Sequence, residues 1–313
     1  MKSDRRNIGI DVLKALACAG VVIQHFGGGT WGGGGVRFAV PVFMFTSIYL
    51  SGNTIQHGNV GQLLRRMKRL YIPFAAWGML YFLAMCLIER RFNVADLFLQ
   101  LTIGVPACPP LYFMFLLAAN TLLLFLVARC GRYSMALFAV IFASCLVLQY
   151  AGLNVRIFAG LPFHPQHALG RFAELLPAAI CGYCLFLSDR KWLVTICATL
   201  LFSFAAVAED CLHCPGFSYQ GVYVLCGAAC VSSVAISLGE RVLCESSKGV
   251  GLWTGGIAGL TAGIYYVHLI VGKGLEAVGG RHRSIKEAMA VLLLSAGLVF
   301  VMKRMRRLAW MVV

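Results

Sequence analysis

The chain has 313 residues, of which 60% are hydrophobic and 12% are charged, and it carries a formal net charge of +15. Because soluble domains are about 45–50% apolar and about 25% charged, this composition excludes a single soluble core. A nucleic-acid-binding protein is excluded as well, since the basic residues lie in short loops between apolar runs, which is the pattern that sets membrane topology. The composition therefore predicts an all-α polytopic membrane protein.

Ten apolar runs predict about ten transmembrane helices, because about 20 helical residues cross a hydrocarbon core roughly 30 Å thick. Lys and Arg are more frequent in the loops on the N-terminal side, which predicts that both termini are cytoplasmic. No polar connection is long enough to fold alone, so we expect residues 1–313 to form a single integral-membrane domain. The predicted spans cover residues 8–26, 36–52, 70–88, 110–128, 135–152, 172–187, 192–208, 220–239, 253–272 and 287–302.

The first span carries three polar side chains, Asp11, Lys14 and His25. Lys14 and His25 are eleven residues apart, close to three helical turns, so they share a helix face and lie about 16 Å apart along the axis. Ionisable groups inside a membrane are costly and mark functional sites, and a histidine suits general-base chemistry. Two structural alternatives remain open: an interfacial histidine bonded to backbone or water, and an ion pair between Asp11 and Lys14.

The second and third spans begin with basic residues. Arg37 opens the second span on the predicted outer side, where it faces an anionic substrate or a buried carboxylate, or else snorkels to lipid headgroups. At the cytoplasmic mouth of the third span, four cations predict a docking surface for a polyanionic ligand such as a phosphorylated cofactor, with anchoring to anionic lipid as the alternative. These four are Arg65, Arg66, Lys68 and Arg69.

Histidines and cysteines further along the chain give weaker signals. His268 in the ninth span is a candidate for a second proton-transfer or substrate-binding group, and a helix–helix hydrogen bond is the alternative. His164 and His167 are expected in an outer loop. Cys211, His213 and Cys214 lie close together, but a structural zinc site needs four ligands, so we predict no metal and favour a local disulfide.

Several segments together resemble the acyltransferase-3 family of integral-membrane O-acyltransferases. DVLKALACAGVVIQH is similar to the family's opening Asp-X-X-Arg stretch with a His eleven residues after the Arg, although Lys14 stands where the family typically has arginine. RFAVPVFMFTSIYL resembles the second-span motif, with Ser47 matching and Ile48 replacing the usual glycine. RRMKRLYIPFAAW, PPLYFMFLL and GIYYVH resemble later motifs, with Tyr112 where tryptophan is common.

The resemblance implies a multi-pass enzyme of the cell membrane, most typically the bacterial plasma membrane. Acetyl-CoA or another acyl-CoA would be the donor substrate, with no permanently bound cofactor, and a cell-surface glycan or lipid-linked sugar would be the acceptor. His25 would be the base, and Lys14, which can pair with Asp11, would stabilise negative charge on the thioester oxyanion or on the CoA phosphates. The basic cluster would hold the CoA 3′-phosphate and diphosphate.

Arg37, Ser47 and His268 are the candidate substrate contacts. Two other functions remain open. One is a transporter or flippase that uses the intramembrane charges, and the other is an inactive relative that serves as a sensor or scaffold, for which Lys14 and Ile48 are the warning signs. The oligomeric state is not predicted.

Overall fold

A computed structural model describes residues 7–28, 38–105, 107, 111–150, 163–189, 196–197, 222–242, 248–279 and 284–312. Within these ranges every regular element is a helix and there is no strand. The helices are α1 (Ile8–Phe26), α2 (Ala39–His57), α3 (Val60–Glu89), α4 (Val94–Ile103), α5 (Tyr112–Ala128), α6 (Ser134–Tyr150), α7 (Phe163–Leu187), α8 (Val222–Val242), α9 (Lys248–Gly279) and α10 (Ile285–Arg304). Short 3-10 turns lie between α5 and α6, at Gly131–Tyr133, and after α10, at Ala309–Met311.

The prediction of an all-helical, multi-pass membrane protein is confirmed. Five helical segments of the described chain are long and apolar enough to cross a membrane: Ile8–Phe26, Val60–Glu89, Gly131–Gln149, Gly170–Leu187 and Ile285–Arg304. Nine of the ten predicted spans overlap one of these helices, and in the span 192–208 only residues 196–197 are described, both of them helical. The number of ten spans and the cytoplasmic termini stay predictions.

Two local expectations were incomplete or wrong. Helix α4 lies in a connection between two predicted spans. Its ten residues reach only about 15 Å, half of a hydrocarbon core, and so the sequence did not predict a span there. The Asn93 side chain accepts from the backbone N–H of Ala95 at its start, and Gly104 ends it with a positive φ of 83°. His164 and His167 lie in the first turns of α7, and so they belong to a helix instead of a loop.

The chain forms two compact units. The first comprises Met1–Thr46, Ser188–Phe204 and Cys226–Val313, and it contains α1, the start of α2, most of α8, and all of α9 and α10. Within it α1 packs against both α9 and α10, and these two helices pack against each other.

Contacts along α1 show that it runs parallel to α9. The Cys18 thiol lies 3.7 Å from the carbonyl oxygen of Thr261, and the ring of Phe26 occupies the space beside Gly272. The residue numbers of the contacting positions therefore increase in the same direction along α1 and α9, as they do in parallel helices. Helix α10 runs the opposite way along α9, because Lys303 donates to the Gly259 carbonyl while Val299 lies against Gly263, four residues later on α9.

Glycine and asparagine bring the N-terminal end of α1 close to α8. The Asn7 side chain caps α1 by accepting from the Ile10 N–H at 3.2 Å, and its amide donates to the Ile236 carbonyl of α8 at 2.9 Å. A Cβ on Gly9 would lie only 1.8 Å from the Ala235 carbonyl oxygen, and one on Gly239 would meet the backbone of Gly9. Small residues at such crossings are typical of helix pairs in membranes, where close backbone approach replaces a hydrophobic driving force.

The second unit comprises Ser47–Leu187 and Ala205–Leu225. In it α3 packs against α4 and α5, and α7 packs against α5 and α6. Arg129, just after α5, donates to the carbonyl oxygens of Ile55 and Gly58 at the end of α2 and lies 3.8 Å from the centre of the Phe125 ring. These bonds satisfy carbonyls that the end of a helix leaves without intrahelical partners.

Candidate active site

Two of the predicted site residues meet in the first unit. The imidazole rings of His25 on α1 and His268 on α9 have centroids 5.4 Å apart and planes tilted by 36°. The parallel packing explains the pairing, since Cys18 contacts Thr261 and both histidines follow seven residues later, two turns along their helices. His268 is 0% exposed, so its side chain faces the interior of the first unit.

The hydrogen bonds of His268 fix its tautomer. Its Nδ1 lies 2.8 Å from the Tyr265 carbonyl oxygen and 3.2 Å from the Ile264 carbonyl oxygen. A carbonyl oxygen only accepts, so Nδ1 carries the proton and Nε2 of the neutral ring presents a lone pair. That Nε2 atom is buried and has no hydrogen-bond partner among the described residues.

Aromatic rings surround the histidine pair. Phe26 meets His268 edge-on, with ring centroids 6.4 Å apart, and the Tyr265 ring lies 6.0 Å from the same imidazole. Phe43, from the start of α2, packs edge-on against Tyr265 at 6.3 Å. These rings keep water from the buried side of His268, so polar interactions of its free nitrogen act in a low dielectric. The sequence analysis did not assign them to the site, although GIYYVH places Tyr265 one turn before His268.

The other two candidates on α1 lie nearer its beginning. Asp11 is 6% exposed and Lys14 is half-buried, so both groups are largely withdrawn from solvent. His25 is also half-buried, and it lies in the last turn of α1. The helix rise puts Lys14 about 16 Å below His25. The two groups therefore occupy different depths along α1.

The basic cluster of α3 lies in the second unit and divides into two kinds of residue. Arg66 is half-buried, and its Nη2 donates to the Ser47 carbonyl oxygen at 3.2 Å. The Ser51 hydroxyl donates to the same carbonyl. Arg65, Lys68 and Arg69 are exposed and available to a ligand. Arg66 therefore joins α2 to α3, and the predicted docking surface is left with three cations.

The second unit also contains a buried ion pair that the sequence analysis missed. Nη1 of Arg171 lies 3.2 Å from Oε2 of Glu174, which is 1% exposed, and the Arg171 guanidinium lies 5.9 Å from the Tyr112 ring centre. A carboxylate inside a predicted span was the signal that could have drawn attention to it.

Arg37 and the Cys211, His213 and Cys214 group lie outside the described residues. Across the described part of the chain, no group of three or more His, Cys, Asp or Glu side chains could hold a metal ion.

Comparison with known proteins gives one match. A family model described as an acyltransferase domain matches residues 7–303, nearly the whole chain. No curated protein and no solved structure matches the chain.

Proposed function

Because the chain belongs to the acyltransferase-3 family of membrane acyltransferases, we propose that it moves an acetyl group from acetyl-CoA to a hydroxyl of a cell-surface glycan or lipid-linked sugar. The observation that carries this proposal is the histidine pair. His25 is half-buried at the end of a membrane-spanning helix, and a second, fully buried histidine lies beside it. A proton acceptor held in this way is what transfer to an alcohol requires.

His25 performs the proton transfers of the reaction. Its unprotonated ring nitrogen takes the proton of the acceptor hydroxyl while the oxygen attacks the thioester carbonyl. The C–S bond then breaks, the acyl group stays on the acceptor oxygen, and the protonated His25 returns its proton to the CoA thiolate. The protein is regenerated unchanged, and the products are an ester and free CoA.

The donor is held by the exposed cations of α3. The exposed Arg65, Lys68 and Arg69 bind the 3′-phosphate and diphosphate of CoA, for which several flexible cations on one helix are suited. Lys14, with Asp11 nearby in the sequence, stabilises negative charge on the CoA phosphates, a role that its position about 16 Å along the helix axis from His25 favours. Arg37 and Ser47 are proposed to face the acceptor, and the bacterial plasma membrane is the proposed location.

The first experiment measures acyl transfer directly. Purified protein in lipid nanodiscs should release CoA thiol from acetyl-CoA only when acceptor is present, and His25→Ala should lower that rate at least about 100-fold. The variant must stay in the membrane fraction and elute as a folded species. A wild-type rate in His25→Ala would refute the catalytic assignment.

A second experiment identifies the acceptor. Mass spectrometry of surface glycans and lipids from cells that lack the gene should show a loss of about 42 Da per acetyl group. A transporter would give a different result, since it would change where a modified glycan accumulates without any consumption of acetyl-CoA by the purified protein.

A further inference from the structure

We infer that His268 is the positioning residue for His25: its buried Nε2 accepts a hydrogen bond from the ring N–H of His25 and thereby selects one tautomer of the base. This inference rests on the proposed role of His25. It follows from the juxtaposition of the two rings, the hydrogen bonds of His268 and the difference in burial between the two histidines.

The direction of the hydrogen bond is set by the backbone of α9. Since Nδ1 of His268 donates to the carbonyl oxygens of Tyr265 and Ile264, the only remaining polar atom of the ring is an acceptor. An acceptor beside a neutral imidazole selects the tautomer whose N–H faces it. The opposite nitrogen of His25 then carries the lone pair that takes the proton from the hydroxyl.

The distance between the rings permits this bond. An imidazole nitrogen lies about 1.2 Å from its ring centre and an N–H···N bond spans about 3 Å, so two imidazoles joined in line have centroids about 5.4 Å apart. The observed separation is 5.4 Å. The Nε2 atom of His268 makes no hydrogen bond to any described residue, His25 included, so its lone pair is uncommitted and the proposed bond requires a change in ring orientation. Hydrogen bonds in catalytic sites often close only when substrate binds.

Burial decides which histidine meets the substrate. His268 is 0% exposed behind Phe26 and Tyr265, whereas His25 is half-buried. The acceptor hydroxyl therefore approaches His25, and His268 supports the base from behind. During the reaction His268 begins and ends neutral with its proton on Nδ1. The proton taken from the hydroxyl resides on His25 until the thiolate receives it.

Nitrogen NMR of the histidines tests the inference without relying on activity. In protein labelled with ¹⁵N-histidine and reconstituted in bilayers, the signals of His25, assigned by their loss in His25→Gln, should report a single tautomer. In His268→Asn they should report a mixture, because asparagine can replace the Nδ1 donor but places nothing at the Nε2 position. A tautomer mixture in the wild-type protein overturns the inference, and so does a single unchanged tautomer in His268→Asn.

Kinetics gives a second, independent test. His268→Asn should lower kcat about 100-fold and leave the KM for acetyl-CoA within about twofold, whereas His268→Gln, whose amide oxygen reaches the Nε2 position, should recover most of kcat. Cys18→Ala is the matched control, since it alters the same α1–α9 contact two turns away and should leave both constants unchanged. Equal losses in His268→Gln and His268→Asn would overturn the inference.

The two proposals can fail separately. A single His25 tautomer in a protein that transfers no acyl group would retain the histidine pair and refute the proposed function. Acyl transfer that depends on His25 but not on His268 would retain the function and refute the pair.

Discussion

Lys14 and His25 share a face of α1, and we propose that they act on different parts of the reaction. The sequence analysis left Lys14 either on the thioester oxyanion or on the CoA phosphates. The separation of about 16 Å between their positions along the axis favours the second role if His25 is the base, because the oxyanion forms beside the attacking hydroxyl. Lys14 is then a donor-binding residue, and its replacement of the family's arginine alters recognition geometry more than charge.

A substitution series at Lys14 should therefore act on donor binding. We expect Lys14→Ala to raise the KM for acetyl-CoA about tenfold or more with a smaller effect on kcat, since a charged hydrogen bond contributes about 1.5–3 kcal/mol. Lys14→Arg should retain activity because the charge is preserved. Steady-state kinetics on the three proteins checks this, and equal constants in all three would remove Lys14 from the mechanism.

The four cations of α3 differ in burial, since three are exposed and Arg66 is half-buried, and the sequence alone did not show this difference. We expect Arg65→Ala/Arg69→Ala to weaken acetyl-CoA binding about tenfold while the thermal stability stays unchanged, because both side chains are exposed. Calorimetric titration of purified protein measures the affinity. Undiminished affinity would assign these cations to the anchoring of anionic lipid instead.

Arg66 is the contrasting case within the same cluster. Its substitution by alanine removes the donor that reaches the Ser47 carbonyl, so the free energy of unfolding should fall by about 1–3 kcal/mol. Scanning fluorimetry of Arg66→Ala beside Arg65→Ala compares an anchoring arginine with an exposed one. Equal melting temperatures in the two variants would contradict the anchoring role.

The packing of α1 on α9 holds the histidine pair together, and glycine makes the close contact there. A Cβ on Gly272 would lie 2.0 Å from the Phe26 ring, which is itself buried, whereas Gly274 on the same helix has nothing within 4 Å of such an atom. Gly272→Ala should therefore cost about 1–3 kcal/mol of stability and lower acyl transfer. Gly274→Ala should leave both unchanged, and the same result in both variants would show that this contact does not position the pair.

The helices were largely predictable because long apolar runs in a membrane have few alternatives to a helix. Helix α4 was missed since a ten-residue run is too short to be read as a span. The meeting of His25 and His268 was not predictable, as the two lie 243 positions apart and no local pattern specifies which helices pack together. The position of His268 inside an apolar run was nevertheless a signal that its side chain faces the interior.

The directions of the helices in the first unit bear on the topology of the whole chain. Since α9 runs parallel to α1 and α10 runs antiparallel to α9, the end of α10 lies on the side of the membrane where α1 begins. The chain between α1 and α9 must then cross the membrane an odd number of times. The seven spans predicted between residues 36 and 239 satisfy this requirement, and omission of the span at 192–208 would leave an even number.

We therefore expect both termini on one side, and the excess of Lys and Arg in the loops of that side makes it the cytoplasm. Green fluorescent protein fused to either terminus should fluoresce, and alkaline phosphatase fused to either terminus should be inactive, because the first folds in the cytoplasm and the second only in an oxidising compartment. Opposite results for the two termini would contradict the parallel arrangement of α1 and α9. Reversed results at both termini would preserve that arrangement and invert the proposed sides for donor and acceptor.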